Sequence, residues 1–218
     1  MALDEVAAGV FDRAIEQFKS EAKIGGYFHD PVSFARDVLG IELWSKQREM
    51  VESVQKNSHT IVRSCHGSGK SLTSSVLVCW WIATRPIGQA IAVTTAPTYA
   101  QVSAILWEEI RKHHANAEAR FKEGLSPMKL PGYVTQGDEW KSHEGQLLGF
   151  GRKPADGNQH AFQGIHRRYV LAVIDEACGI QEGLYNAVEA ITNTGDARVL
   201  AVGNPDDPAT MMGKIFRE

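Results

Sequence analysis

The chain has 218 residues, 43% of them hydrophobic, which is enough to bury one substantial core and lies near the upper size of a common single domain. A formal charge of −3 and a pI of about 6.2 give no overall basic field, so tight, sequence-independent DNA binding by the isolated chain is not predicted and any nucleic-acid contact is expected to be local. Cys65, Cys79 and Cys178 are widely spaced, show no CxxC pattern and read as reduced thiols, while the longest apolar run, Val76 to Ala83, falls far short of the roughly 20 residues that span a bilayer.

From the N-terminus, Met1 to Lys19 mixes acidic and apolar residues without a basic leader and reads as an amphipathic helix rather than a secretory signal. Ser45 to Lys56 places Met50, Val51 and Val54 at helical spacing behind a possible Ser45 N-cap. A short apolar strand, Thr60 to Ser64, leads through a glycine-rich turn into a helix over Ser71 to Ala83 that is apolar nearly all round, as suits burial against a sheet, and that Pro86 and Gly88 stop. A second strand, Ala90 to Thr95, precedes a helix over Thr98 to Arg111 with Val102, Ile105, Leu106 and Ile110 on one side. Ala115 to Glu144 is rich in glycine, proline and charge with weak periodicity and reads as an irregular insertion or mobile loop. Three further strands follow, Gln146 to Phe150, Tyr169 to Asp175 and Arg198 to Val202. The alternation of strands with helices predicts an α/β fold with a mostly parallel central sheet flanked by helices.

Between the first strand and the apolar helix stands Ser64-Cys65-His66-Gly67-Ser68-Gly69-Lys70-Ser71, a Walker A variant with serine where the pattern has its first glycine. Gly67 and Gly69 let backbone N–H groups of the loop, which includes His66 and Ser68, curl around phosphate oxygens. Lys70 supplies charge to the β- and γ-phosphates, and Ser71 is suited to ligate Mg²⁺. Cys65 and His66 have no nearby partners to complete a metal site. The run Tyr169 to Ile174 ends in Asp175-Glu176, a Walker B arrangement. Asp175 would hold Mg²⁺ and Glu176 would orient or deprotonate the attacking water, the carboxylate that turns nucleotide binding into hydrolysis. The last strand ends in Gly203-Asn204-Pro205, so Asn204 is placed to sense the γ-phosphate or the lytic water, although the same tripeptide is a ready turn. Gln47 carries donors and an acceptor suited to an adenine edge, and an exposed helix glutamine is its plain alternative.

Taken together, these segments resemble the large terminase subunit of tailed double-stranded DNA bacteriophages. The resemblance runs over roughly residues 30 to 216 through Trp44-Ser45-Lys46-Gln47-Arg48-Glu49, the P-loop, Thr95-Ala96-Pro97-Thr98 with Gln101-Val102, Ala161-Phe162-Gln163-Gly164-Ile165-His166, Ile174-Asp175-Glu176-Ala177 and Gly203-Asn204-Pro205. It implies a P-loop NTPase of the additional-strand, catalytic-glutamate type, with a helical segment over 1–40 and the ATPase domain over 41–218, and no accompanying nuclease within these residues. It also implies ATP and Mg²⁺ as cofactors. The partners implied are double-stranded DNA, a portal protein and a small terminase subunit, with a homo-oligomeric ring on the portal, a monomer when isolated, no membrane, and a setting in the cytoplasm of the infected bacterium. Family members carry an arginine that completes the nucleotide site. With His66 inside this loop, Arg63, Arg152, Arg167 and Arg168 remain, and Arg168, then Arg167, are the expected fingers acting on a neighbouring subunit. Arg111-Lys112-His113-His114 and Arg152-Lys153 are basic enough to touch DNA phosphates but are also ordinary solvated faces. A helicase-like nucleic-acid-dependent ATPase, or a nucleotide-binding assembly module without turnover, are the alternatives.

Overall fold

The structure is a computed structural model, and it describes residues 25–153, 162, 164–193, 195–204 and 210–215. The amphipathic helix expected over Met1 to Lys19 lies outside the described residues.

Seven strands form one sheet in the order β1-β7-β6-β2-β5-β4-β3. The parallel part comprises β1 (His59–Arg63), β7 (Asp196–Gly203), β6 (Tyr169–Ile174), β2 (Ala90–Thr95) and β5 (Leu147–Gly151). The five predicted strands are all present, each shifted by no more than two residues at an end. β2 and β6 are buried at every position, and β6 and the first four residues of β2 read accordingly as unbroken apolar runs, while Thr94 and Thr95 are buried hydroxyl residues. Side chains alternate between two cores. Leu171 and Val173 of β6 face one with Val76, Trp80 and Trp81 of the P-loop helix, and Val170, Ala172 and Ile174 face the other with Val188 and Ile191.

The first core is closed by α1 (Pro31–Phe34, continued as a π-helical turn over Ala35–Leu39), α2 (Ser45–Lys56), α3 (Lys70–Ala83) and α4 (Glu108–Lys122), the last preceded by a π-helical stretch over Gln101–Trp107. The second is closed by α5 (Glu182–Thr192), and α6 (Met211–Ile215) follows β7. From Thr73 to Ala83 every residue of α3 is buried, as its uniform hydrophobicity predicts. Phe34, Ala35, Val38 and Leu39 lie in the same core as α3, so residues before 41 help build it.

Two expectations are corrected. Ser45 is the first residue of α2 and Trp44 takes the cap position, where the Gln47 side chain reaches back and its Oε1 accepts from the Trp44 N–H at 3.2 Å. The stretch Ala115 to Glu144 is not irregular throughout, because α4 continues to Lys122 and an antiparallel hairpin, β3 (Tyr133–Val134) and β4 (Glu139–Lys141), extends the sheet from β5. Trp140 anchors that hairpin, fully buried, with its indole N–H donated to the Pro131 carbonyl at 2.6 Å. No helix among the described residues is long and apolar enough to cross a membrane.

Candidate active site

The register of the parallel strands brings their carboxyl ends to one edge. Arg63 pairs with Gly203, Ile174 with Ala201 and Thr95 with Ile174, so the residues just beyond each strand gather in one crevice. β7 stands between β1 and β6, and the P-loop strand is thus one strand removed from the acidic strand.

The P-loop turns on Gly67 (φ +75°) and Gly69 (φ +82°). Gly69 suits its left-handed backbone, and a Cβ there would stand 2.5 Å from Gln47 Nε2, so the Gln47 side chain would have to shift. Ser64, in place of the usual first glycine, is hydrogen-bonded through its hydroxyl to Ser68, and its N–H donates to the Gly203 carbonyl at 2.9 Å. Lys70, only 8% exposed, donates to the Cys65 carbonyl at 3.0 Å and lies 3.7 Å from Glu176. His66 is exposed.

Across the crevice the Ser71 hydroxyl donates to Asp175 Oδ2 at 3.3 Å, and the Glu176 N–H donates to Asp175 Oδ1 at 3.0 Å. Burial holds the Asp175 carboxyl above its ordinary value, against these two hydrogen bonds and the nearby charge of Lys70. The Ser71 and Asp175 oxygens, 3.3 Å apart, are hard donors of the kind Mg²⁺ takes, and the pair fits that ion. Glu176 adopts a left-handed conformation (φ 47°, ψ 49°), uncommon for a residue with a side chain, and it faces the lysine of the phosphate loop.

Beside the loop, a cavity of about 500 Å³ is bounded by Trp44, Gln47, Met50, Arg63, Cys65 and Lys70 among others. Gln47 lines it while its Oε1 accepts from Trp44 and its Nε2 stands 3.5 Å from the Gly69 carbonyl, linking the cavity wall to the phosphate loop. Trp44 stands half exposed at the rim, a place that no sequence pattern around it marks as a pocket. Asn204 follows β7 at this edge, with its carbonyl accepting from the Cys178 thiol at 2.8 Å. In the segment Ala161 to His166, Phe162 is buried beside Phe150 and Ile165 packs on the second core, while Ala161 and Gln163 lie outside the described residues. Thr98 and Gln101 bond each other, the Thr98 N–H donating to Gln101 Oε1 at 3.0 Å and the Gln101 N–H to the Thr98 hydroxyl at 3.2 Å, which caps the next helix.

The arginines divide by edge. Arg167 and Arg168 precede β6, whereas Asp175 follows it, so a six-residue strand, about 20 Å at about 3.3 Å per residue, separates them from their own acidic pair. Arg168 stacks on Tyr169, its guanidinium 5.0 Å from the ring centre. Arg63 and Arg152 lie at the carboxyl edge of the sheet, the latter 5.2 Å from the Phe150 ring with its backbone N–H donated to the Thr94 carbonyl. Arg111 is engaged with Asp138 at 3.1 Å, and His113 and His114 are buried, so this basic run is not a solvated face as a whole.

No protein-family model matches the chain. A probable terminase large subunit of Enterobacteria phage P7 is 27% identical over 188 residues, which is 84% of this chain and 36% of that protein. Among solved structures, the large terminase of bacteriophage HK97 superposes with a TM-score of 0.62 at 12% identity, over 85% of this chain and 39% of that one. The ATPase domain of the Thermus phage P74-26 large terminase gives 0.54 at 16% identity, over 78% and 68% respectively. The large terminase of another thermophilic bacteriophage, in complex with ADP, gives 0.51 at 15% identity, over 76% and 40%. The chain spans a little over a third of the first two relatives. Its fold is similar to that of these large-terminase structures, and its sequence is similar to that of the phage P7 protein.

Proposed function

We propose that this chain is the ATPase motor of a tailed-bacteriophage large terminase, hydrolysing ATP to drive viral double-stranded DNA into a procapsid. The observation that carries this reading is the gathering of Lys70, Ser71, Asp175 and Glu176 within hydrogen-bond or ion-pair distance at the carboxyl edge of the sheet, in a chain similar to large terminases in sequence and fold.

In this reading the loop His66 to Ser71 wraps the phosphates with backbone N–H groups, helped by the N-terminal end of the fourteen-residue α3. Lys70 leaves the Cys65 carbonyl to balance charge on the β- and γ-phosphates. Ser71 and Asp175 hold Mg²⁺, which when bound supplies further neutralisation of those oxygens. Glu176 accepts the proton of the attacking water or orients it, and Asn204 offers its amide to the γ-phosphate or to that water. Gln47 and the cavity beside Trp44 receive the base. Arg168, then Arg167, serve a neighbouring subunit. The partners proposed are double-stranded DNA, the portal protein and the small terminase subunit, with a ring formed on the portal in the cytoplasm of the infected host and a monomer otherwise.

Phosphate release measured with and without double-stranded DNA tests the reading. Mg²⁺-dependent hydrolysis that DNA stimulates is expected. Nucleotide binding with no turnover under any condition would identify an assembly module instead, and strand separation coupled to hydrolysis would identify a helicase-like enzyme.

A further inference from the structure

The turn that follows β6 carries Glu176 in a left-handed conformation, which persists in a residue with a Cβ only where its surroundings fix it. Contacts hold this turn from several sides. The Tyr185 hydroxyl of α5 donates to the Ala177 carbonyl at 3.0 Å. Pro97 closes against Gly179, where a Cβ would come within 2.7 Å of its ring. Gly203 lies under the turn so closely that a Cβ would stand 2.9 Å from Cys178 Sγ and 3.0 Å from the Ala177 nitrogen. Gly203 also receives the Ser64 N–H, so the start of the phosphate loop, the end of β7 and the acidic turn meet at one backbone.

Cys178 is the side chain that bridges this junction. Its thiol donates to the Asn204 carbonyl at 2.8 Å and touches the Met212 sulfur of α6 at 3.3 Å, and Met212 is fully buried. It sits two residues after Glu176 and is a direct side-chain link between the turn bearing the proposed base and the strand end bearing the proposed γ-phosphate amide. The same contact closes the gap left by Gly203 and seats α6 on the site.

We propose that Cys178 is a positioning residue for ATP hydrolysis: its thiol ties the Glu176 turn to the backbone of Asn204 and keeps those two groups at one spacing. The inference rests on the ATPase reading above. Because the thiol bonds the Asn204 backbone and stands two residues from Glu176, its loss is expected to disturb the chemical step more than ADP binding. A hydroxyl at the same place keeps the donor.

The experiment compares Cys178→Ala and Cys178→Ser with Asn204→Ala and Glu176→Gln, measuring kcat and KM for ATP, the Kd for ADP and the melting temperature. Cys178→Ala is expected to lower kcat about three- to tenfold, the rate equivalent of one net hydrogen bond, with KM and the ADP Kd within about twofold of the parent. Cys178→Ser is expected to recover most of that loss. Parent-level kcat in Cys178→Ala, while Asn204→Ala and Glu176→Gln are impaired, would overturn the positioning role. So would a serine variant no better than alanine, or an ADP Kd that shifts as far as kcat. Parent-level turnover in Glu176→Gln would instead sink the ATPase site itself, a failure distinct from that of the thiol.

Discussion

Lys70 is a nearly enclosed cation whose neighbours are one carbonyl and one carboxylate, so its charge is placed for a ligand more than for stability. Lys70→Ala should weaken ATP binding at least about tenfold, on the scale of a lost hydrogen bond to a charged group, and titration of labelled ATP would read it. Unchanged affinity in a folded variant would place the phosphate site elsewhere. Glu176→Gln keeps shape and removes only basicity, and it should leave Mg²⁺-ATP binding intact while lowering single-turnover hydrolysis about 10²-fold or more. Parent-rate turnover would show that Glu176 is not the base. Both residues are legible in the sequence because their motifs are contiguous: a phosphate loop or an acidic strand end is written in a short run of adjacent residues. What escapes a sequence reading depends on partners distant along the chain. Gln47 meets Gly69 across 22 positions and Cys178 meets Asn204 across 26, and no local pattern marks either contact.

At the scale of elements, α4 shows why a helix reads too short from sequence. Its buried face is Ile110, His113, His114 and Ala117, an i, i+3, i+4, i+7 set that emerges only when the two histidines are counted as core residues. The hairpin after it is hidden for a different reason, since strands of two and three residues are too short for alternation to register. Both histidines carry a consequence for stability. Burial depresses the pKa of His113, opposed by Glu109 and reinforced by Lys112, and burial likewise depresses that of His114, which stacks edge-on against Trp140. Neither Nε2 finds a hydrogen-bond partner among the described residues. The unfolded chain therefore binds more protons than the folded one once pH falls below the ordinary value of 6.5, and stability contributed by the neutral rings is lost as pH drops through that value toward the depressed folded ones. Thermal melts should be flat in this respect above about pH 7.5 and decline from about pH 6.5 downward. A His113→Leu, His114→Leu double variant should show a shallower decline over the same window. A slope identical to the parent would mean that other groups set the acid sensitivity.

For the whole molecule, the direction of the parallel strands decides which edge each arginine occupies. Strand positions along the chain are legible from apolar runs, though their lateral order is not, and with β1, β5 and β6 parallel Arg63 and Arg152 stand at the carboxyl edge and Arg167 and Arg168 at the far edge. An arginine finger lowers the barrier by spreading charge over the transferring phosphoryl group, a contribution of about 10³ to 10⁵ in rate, and it must touch that group to do so. From the far edge Arg168 cannot reach its own site, so any finger role for it requires a second subunit whose far edge abuts this crevice. An isolated monomer should then hydrolyse ATP poorly while binding it normally. Mixing Glu176→Gln protein with Arg168→Ala protein, each nearly inactive alone, creates interfaces in which an intact Glu176 faces an intact Arg168. Partial recovery of phosphate release on co-assembly is expected, peaking near equal proportions. Absence of recovery at every ratio, with co-assembly demonstrated by light scattering, would remove Arg168 from the reaction. It would direct attention to Arg152 and Arg63, which stand at the same carboxyl edge of the sheet as the proposed site.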